Sequence, residues 1–285
     1  MGIVFSPYGN SKEFYEKEYT SLDAPKYLSS LGFNGYEYLE NEGVHISDDA
    51  CFILKENAKK YNISLSVRAY DFLKLSCDDE KIRKKSIDIL CDTVRTAQLM
   101  GAKRVVFPLD NCAVRKRTDV LNNTKNSLEK VIFYMNENNI NDVFLCPETM
   151  GLIHDLGTVD EVLSLCVTNE RLIPALNIGN MYAIGNGQAF LEEYLLLLFD
   201  KMKKKLGKYR GENFHLYLSK VEYTHHGFRA DVDFSECDDE NQEFESVFRA
   251  IKKRKLTPFV VCKSPSDKEK DLNTLKSIYL RIKQE

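Results

Sequence analysis

Short β-rich runs alternate along the chain with longer stretches whose apolar residues recur at helical spacing. The runs cover residues 2–6, 34–39, 63–69, 104–109, 143–147, 173–178, 214–220 and 258–262, and successive starts lie about 30 to 45 residues apart, the length of one βα unit. The spacing predicts helices over 46–61, 80–100, 121–138, 158–169, 188–206, 241–255 and 266–283, with a weaker one near 22–31. Start signals agree. Ser47-Asp48-Asp49 opens the first of these, Thr158 with Glu161 forms a capping box, and Ser266-Asp267 after Pro265 opens the last. Arg104-Val105-Val106-Phe107, Val143-Phe144-Leu145 and Phe259-Val260-Val261 are almost wholly apolar, as strands covered on both faces of a parallel sheet must be. Eight such units predict a single (β/α)8 barrel over residues 1–285. An open doubly wound sheet is the alternative, but no Gly-x-Gly-x-x-Gly follows the first strand.

Composition narrows the class. Hydrophobic residues make up 43% and charged residues 29%, so the chain can bury a core and is not disordered. Forty Lys and Arg against 43 Asp and Glu leave a net charge of −3, which excludes a general basic coat for nucleic acid but not a local basic patch. The opening Met1-Gly2-Ile3-Val4-Phe5-Ser6-Pro7 lacks the features of a signal peptide, and Tyr194–Phe199 is too short an apolar run to span a bilayer. The eight cysteines are scattered without a Cys-x-x-Cys. They read as reduced, mostly buried thiols, and a cytoplasmic location with no membrane partner is expected.

In a barrel the chemistry sits where strands end. The strand ends here carry Arg68-Ala69-Tyr70, Pro108-Leu109-Asp110, Glu148-Thr149, Asn177 to Asn180, His215 to Lys220, and Cys262-Lys263-Ser264-Pro265. Four stretches have a familiar form: Pro147-Glu148-Thr149-Met150-Gly151 with Leu156-Gly157-Thr158; Pro174-Ala175-Leu176-Asn177-Ile178-Gly179-Asn180 with Gly185 downstream; His215-Leu216-Tyr217-Leu218-Ser219-Lys220; and Lys263-Ser264-Pro265. Over nearly its whole length the chain resembles the endonuclease IV (family-2 AP endonuclease) and xylose isomerase-like TIM barrels. The nuclease branch holds three metal ions, usually zinc, on His, Asp and Glu at strand ends, and uses them in DNA repair to make a hydroxide and stabilise charge on phosphate.

Most of the ligands that the resemblance implies are replaced. Arg68 and Pro108 stand where the family has His, Asn177 where it has Asp, Asn180 where it has His, Arg229 and Asp231 where it has an Asp-x-His pair, and Lys263 where it has Glu. Glu148 and His215 match and are the candidate catalytic residues; Asp231 is a third candidate ligand. The single-metal site of the superfamily's sugar isomerases and epimerases maps to Glu148, Asn177, His215 and Lys263, and is broken at two of these four positions. Arg68 and Lys263 would bring positive charge into the space of the metals, at a cost on the order of several kcal/mol. The expectation is therefore a site emptied of metal and rebalanced, with Glu148 paired to Lys263 or Arg68 and with AP-endonuclease activity lost. No cofactor is expected. Zinc or manganese enters under the alternative of an active phosphodiesterase or sugar isomerase with ligands rearranged from Glu148, His215, Asp231, His225 and His226. A third reading is a non-catalytic scaffold for a protein partner.

Arg115-Lys116-Arg117, in the fourth βα loop, join Arg68, Lys220 and Lys263 on the site face. With Asn177 and Asn180 they make a candidate pocket for a phosphate-bearing small molecule or a nucleic-acid backbone; ordinary solvated charges are the competing reading. Lys201–Lys205 and Lys252–Lys255 fall at helix C-termini, where they complement the dipole. His225-His226, His154 and His45 read as surface residues, Cys262 as a buried small hydrophobe rather than a nucleophile served by His215, Gly185-Asn186-Gly187 as a turn, and Gly207 as a helix cap.

Overall fold

The structure is a computed structural model that describes residues 2–39, 46–112, 114–185 and 187–282. His45, Asn186 and residue 283 of the last predicted helix lie outside the described residues. The chain opens with β1 (Val4–Pro7), α1 (Lys12–Glu16), α2 (Ala24–Ser30), β2 (Gly35–Leu39), α3 (Asp48–Lys60) and β3 (Ser64–Arg68). It continues through α4 (Glu80–Met100), β4 (Arg104–Phe107), α5 (Arg117–Glu137), β5 (Phe144–Pro147), α6 (Val159–Cys166) and β6 (Ala175–Asn177). Then come α7 (Ile178–Ile184), α8 (Glu192–Glu212), β7 (His215–Leu218), the hairpin β8 (Lys220–Thr224) and β9 (Gly227–Val232), α9 (Phe244–Lys253), β10 (Phe259–Cys262) and α10 (Lys268–Arg281).

Eight strands close a parallel barrel from two four-stranded ladders, β1-β10-β7-β6 and β2-β3-β4-β5. Parallel bridges at Tyr8–Glu37 and at Glu148–Ala175 join the ladders at the two seams. The Asn34 side chain adds to the first seam by accepting from Phe5 N and donating to Ile3 O. Strand alternation splits the apolar residues between two cores. Val106, Cys146, Ile173, Ala175, Tyr217, Phe259 and Val261 fill the lumen, while Val105, Leu145, Leu176, Leu216 and Val260 pack outward against the helices. Two of the predicted start signals cap as expected: Ser47 accepts from Ala50 N, and Thr158 and Glu161 form the capping box; Asp267 opens α10 without a side-chain cap bond.

Three elements differ from the sequence expectation. The run 214–220 shortens to β7, which ends at Leu218, and Lys220 starts a hairpin of β8 and β9 over a stretch for which no strand is predicted. The run 173–178 ends at Asn177, whose side chain accepts from Asn180 N and starts α7 at once. The helix predicted to stop before Gly207 does break there, the glycine sitting at φ 78 and ψ 173, but a further helical stretch runs on to Glu212. Among the described residues no helix is long and apolar enough to cross a membrane.

Candidate functional site

Alternation carries every second residue of each strand into the lumen, so the last inward positions of β3 and β6 and the residues just past β5 and β10 converge at the mouth. These are Arg68, Glu148, Asn177 and Lys263. Glu148 is 1% exposed, and both its oxygens are engaged. Arg68 Nη1 donates to Oε2, and Asn177 Nδ2 donates to Oε1 at 2.8 Å. Arg68 also donates from Nε and Nη2 to Asp71 Oδ1, at 3.0 and 2.8 Å. Of the two partners expected for Glu148, Arg68 takes the carboxylate. Lys263 turns to Asp231, with Nζ 3.5 Å from Oδ2. Its ammonium lies 5.1 Å from the Tyr8 ring centre and 5.4 Å from that of Tyr217, while the Arg68 guanidinium approaches Tyr217 at 5.8 Å. Two cations thus share one aromatic face-and-edge cradle, a favourable electrostatic contact in a dry site.

The titration behaviour follows from this packing. Burial opposes ionisation of Glu148, but the charges of Arg68 and Lys263 and the hydrogen bonds from Asn177 and Arg68 more than offset it, so the carboxyl lies below its ordinary range. Burial likewise opposes the charge on Lys263; Asp231 and Glu148 reverse the balance and push it above the ordinary lysine value. Lys263 is therefore held as an ammonium by Asp231 and Glu148.

His215 stands elsewhere. It opens β7 rather than ending it, in register with Ala175 and Phe259, and is fully buried in the lumen. Its ring stacks on Phe259 at 5.3 Å and 14°, and Nε2 lies 3.2 Å from Glu37 Oε1 without a hydrogen-bonding angle. Tyr217 Oη and Ser66 Oγ donate to the same Glu37 oxygen, at 3.1 and 3.2 Å. Burial pushes the imidazole below its ordinary value against the pull of Glu37. Cys262 alternates to the helix side of β10, away from His215, and burial raises its thiol well above the ordinary value.

The other expected pocket residues are dispersed. Arg115 donates to the carbonyls of Ser76 and Asn111 and to Ser76 Oγ, tying the β3–α4 loop to the β4–α5 loop. Arg117 is held by Glu161 and by the carbonyls of Ile153 and Asp155. Asn180, 7% exposed, donates to Thr149 O at 3.0 Å. Lys220 starts the hairpin, half-buried. His225 and His226 are exposed at the hairpin turn, and His154 is exposed in the β5–α6 loop. That loop and the hairpin are joined: Phe228 N donates to Gly151 O at 2.7 Å and Ile153 N to His226 O at 3.2 Å. Sequence reasoning missed Glu37, Asp71, Tyr8 and Tyr217. Stepping by two from Arg68 and Glu148 would have marked the inward positions Ser66 and Cys146, but the partners across the lumen follow only from closure.

The cluster of three metal ions implied by the resemblance does not fit these residues. The Glu148 oxygens are occupied, guanidinium and ammonium groups have no lone pair to give, and among the described residues no group of three or more His, Cys, Asp or Glu is placed to hold a metal ion.

Residues 25–281 match the family described as the xylose isomerase-like TIM barrel, and the chain belongs to it. An uncharacterized protein of Methanocaldococcus jannaschii is 26% identical over 250 residues, 88% of either chain. Endonuclease IV from Thermus thermophilus superposes with a TM-score of 0.69 over 99% of both chains, at 16% identity. The 3-keto-D-glucoside 4-epimerase YcjR from E. coli gives 0.69 over 96% of this chain and 99% of its own, at 12% identity. These likenesses establish the fold.

Proposed function

We propose that this chain is a metal-independent member of its family, without AP-endonuclease activity, whose barrel mouth binds a small phosphate-bearing molecule through Lys263. The observation that carries the reading is the Arg68 guanidinium on Glu148, with Asn177 closing the other oxygen. A hydrolytic metal needs that carboxylate free. Lys263 remains 13% exposed in its side chain and faces one carboxylate at 3.5 Å, so an incoming phosphate competes with Asp231 rather than with a short bidentate pair. A nucleic-acid backbone fits less well. It needs a row of free cations, and the Arg115 and Arg117 guanidinium groups are spent on neighbouring loops and on Glu161.

The test is elemental analysis of protein purified without chelators, with zinc and manganese supplied, alongside incision of abasic DNA. Substoichiometric metal and no incision are expected. About three equivalents of zinc would restore the nuclease and overturn the proposal. A single equivalent abolished by Glu148→Ala would overturn it in favour of an isomerase-like site. A gel shift with abasic DNA should show no salt-dependent complex, and Lys263→Met should abolish phosphate binding at the mouth.

A further inference from the structure

At the opposite end of the barrel, where strands begin, a cavity of about 680 Å³ opens beneath the lumen. Its floor is Arg104, the first residue of β4 and an inward position. Lys55, Lys59 and Lys103 stand among its lining residues, and Asp142 is the one carboxylate there. Asp142 already has a partner in Lys103, at 3.3 Å. Arg104 does not share it. Its Nη2 donates to the Asn213 carbonyl at 3.1 Å, its guanidinium lies 5.3 Å from the Phe259 ring centre, and its Nε is buried without a hydrogen-bond partner. Among the described residues no carboxylate forms an ion pair with it. Burial accordingly pulls the Arg104 pKa below the ordinary arginine value, the reverse of what the paired Arg68 shows. A guanidinium withdrawn from water without a counterion is costly, whereas an oxyanion brought to it gains a charge-assisted, directional contact.

We infer that the strand N-terminal cavity is a second binding site, in which Arg104, flanked by Lys55 and Lys59, anchors the phosphate of a small phosphorylated molecule. Four cations against one carboxylate suit a dianion better than a monoanion, and the cavity has room for an organic body beside the phosphate. The site is separate from the mouth and stands or falls without Lys263.

Inorganic phosphate is the probe. The protein is treated with phenylglyoxal in phosphate and in chloride of equal ionic strength, and Arg104 modification is read by peptide mass spectrometry. Labelling of Arg104 should fall about tenfold at a phosphate concentration about ten times Kd, in the unsubstituted chain and equally in Lys263→Met. A saturable rise in melting temperature with phosphate, beyond that with chloride, should be reduced in Arg104→Gln and in the surface double variant Lys55→Ala/Lys59→Ala. Equal labelling in both salts overturns the inference, as does an Arg104 that never labels and is therefore closed to ligand. Protection lost in Lys263→Met assigns the anion to the mouth and also overturns it. If Arg104→Gln does not fold, the labelling comparison and the double-lysine variant decide.

Discussion

Removing the Arg68 side chain strands a buried carboxylate, and the size of the penalty is fixed by how Glu148 can escape its charge. Arg68→Met keeps most of the volume but takes away the guanidinium, leaving Glu148, 1% exposed, with Asn177 and the more distant Lys263. Breaking a buried pair from one side costs about 3–5 kcal/mol. Protonation sets a ceiling. Each pH unit above the ordinary carboxyl value of 4.5 costs about 1.4 kcal/mol, so neutralising Glu148 near pH 7 costs about 3.4 kcal/mol and near pH 5 about 0.7 kcal/mol. The sign follows. In the unsubstituted chain the Glu148 pKa is lowered, so its contribution is present above 4.5 and persists across this window. In Arg68→Met the folded pKa rises, so stability is greatest at low pH and is lost as pH climbs through the raised value. Urea unfolding should show a deficit of about 3 kcal/mol near pH 7 that shrinks by about 2.7 kcal/mol near pH 5. Adding Glu148→Gln should erase the pH dependence. A deficit below about 1 kcal/mol at pH 7, or one equal at both pH values, would refute the reasoning.

Three further outcomes follow from the same structure. Because burial lowers the His215 pKa, the folded state resists its protonation; stability is full above about 6.5 and declines as pH falls from there toward the depressed value. His215→Gln should flatten the melting-temperature profile between about pH 6.5 and 5, and an unchanged slope would show that His215 does not set it. A Cβ at Gly227 would meet Gly151 O at 2.1 Å, with φ already at +107. Gly227→Ala should cost about 1–3 kcal/mol and speed hydrogen exchange at Phe228 and Ile153, which otherwise bond across that contact; retained protection would count against the hairpin being pinned there. Cys77 and Cys237 are half-buried and the other six cysteines buried, with the Cys91 and Cys146 thiols pushed up to about 12. A disulfide reagent should therefore react quickly with two thiols in the native chain and with all eight after unfolding, while eight fast thiols at the outset would contradict the packing.

The barrel was legible because strands sealed on both sides must be apolar over a few residues, and Arg104–Phe107 and Phe259–Cys262 are. The partner of Glu148 was narrowed to Lys263 or Arg68 by the charges standing where the family has metal ligands, and the structure selects Arg68. The hairpin of β8 and β9 was less visible. Val221 is buried but Glu222, Tyr223 and Thr224 are exposed, so the stretch beyond Lys220 lacks the regular alternation that marks a strand. Helix α7 hid behind β6 because Ile178 to Ile184 continues the apolar run, and the Asn177 cap is also an inward strand residue. Glu37 and Tyr217 meet only when the ladder of β2 and the ladder of β7 face each other across the closed lumen. Contacts of that kind depend on closure and leave no local trace in the chain.

The seam beside β1 has a consequence for synthesis. Along its full length β1 pairs with β10, Val4 facing Phe259 and Pro7 facing Cys262, whereas toward β2 it has the bridge at Tyr8 and the Asn34 side chain. On a ribosome β1 is made well before β10 and must wait for it before it gains its ladder. Until then its apolar edge, Val4-Phe5-Ser6-Pro7, is open to mispairing. Pairing of β1 with β10 closes a loop of about 250 residues, and contacts of such wide sequence separation are slow to form.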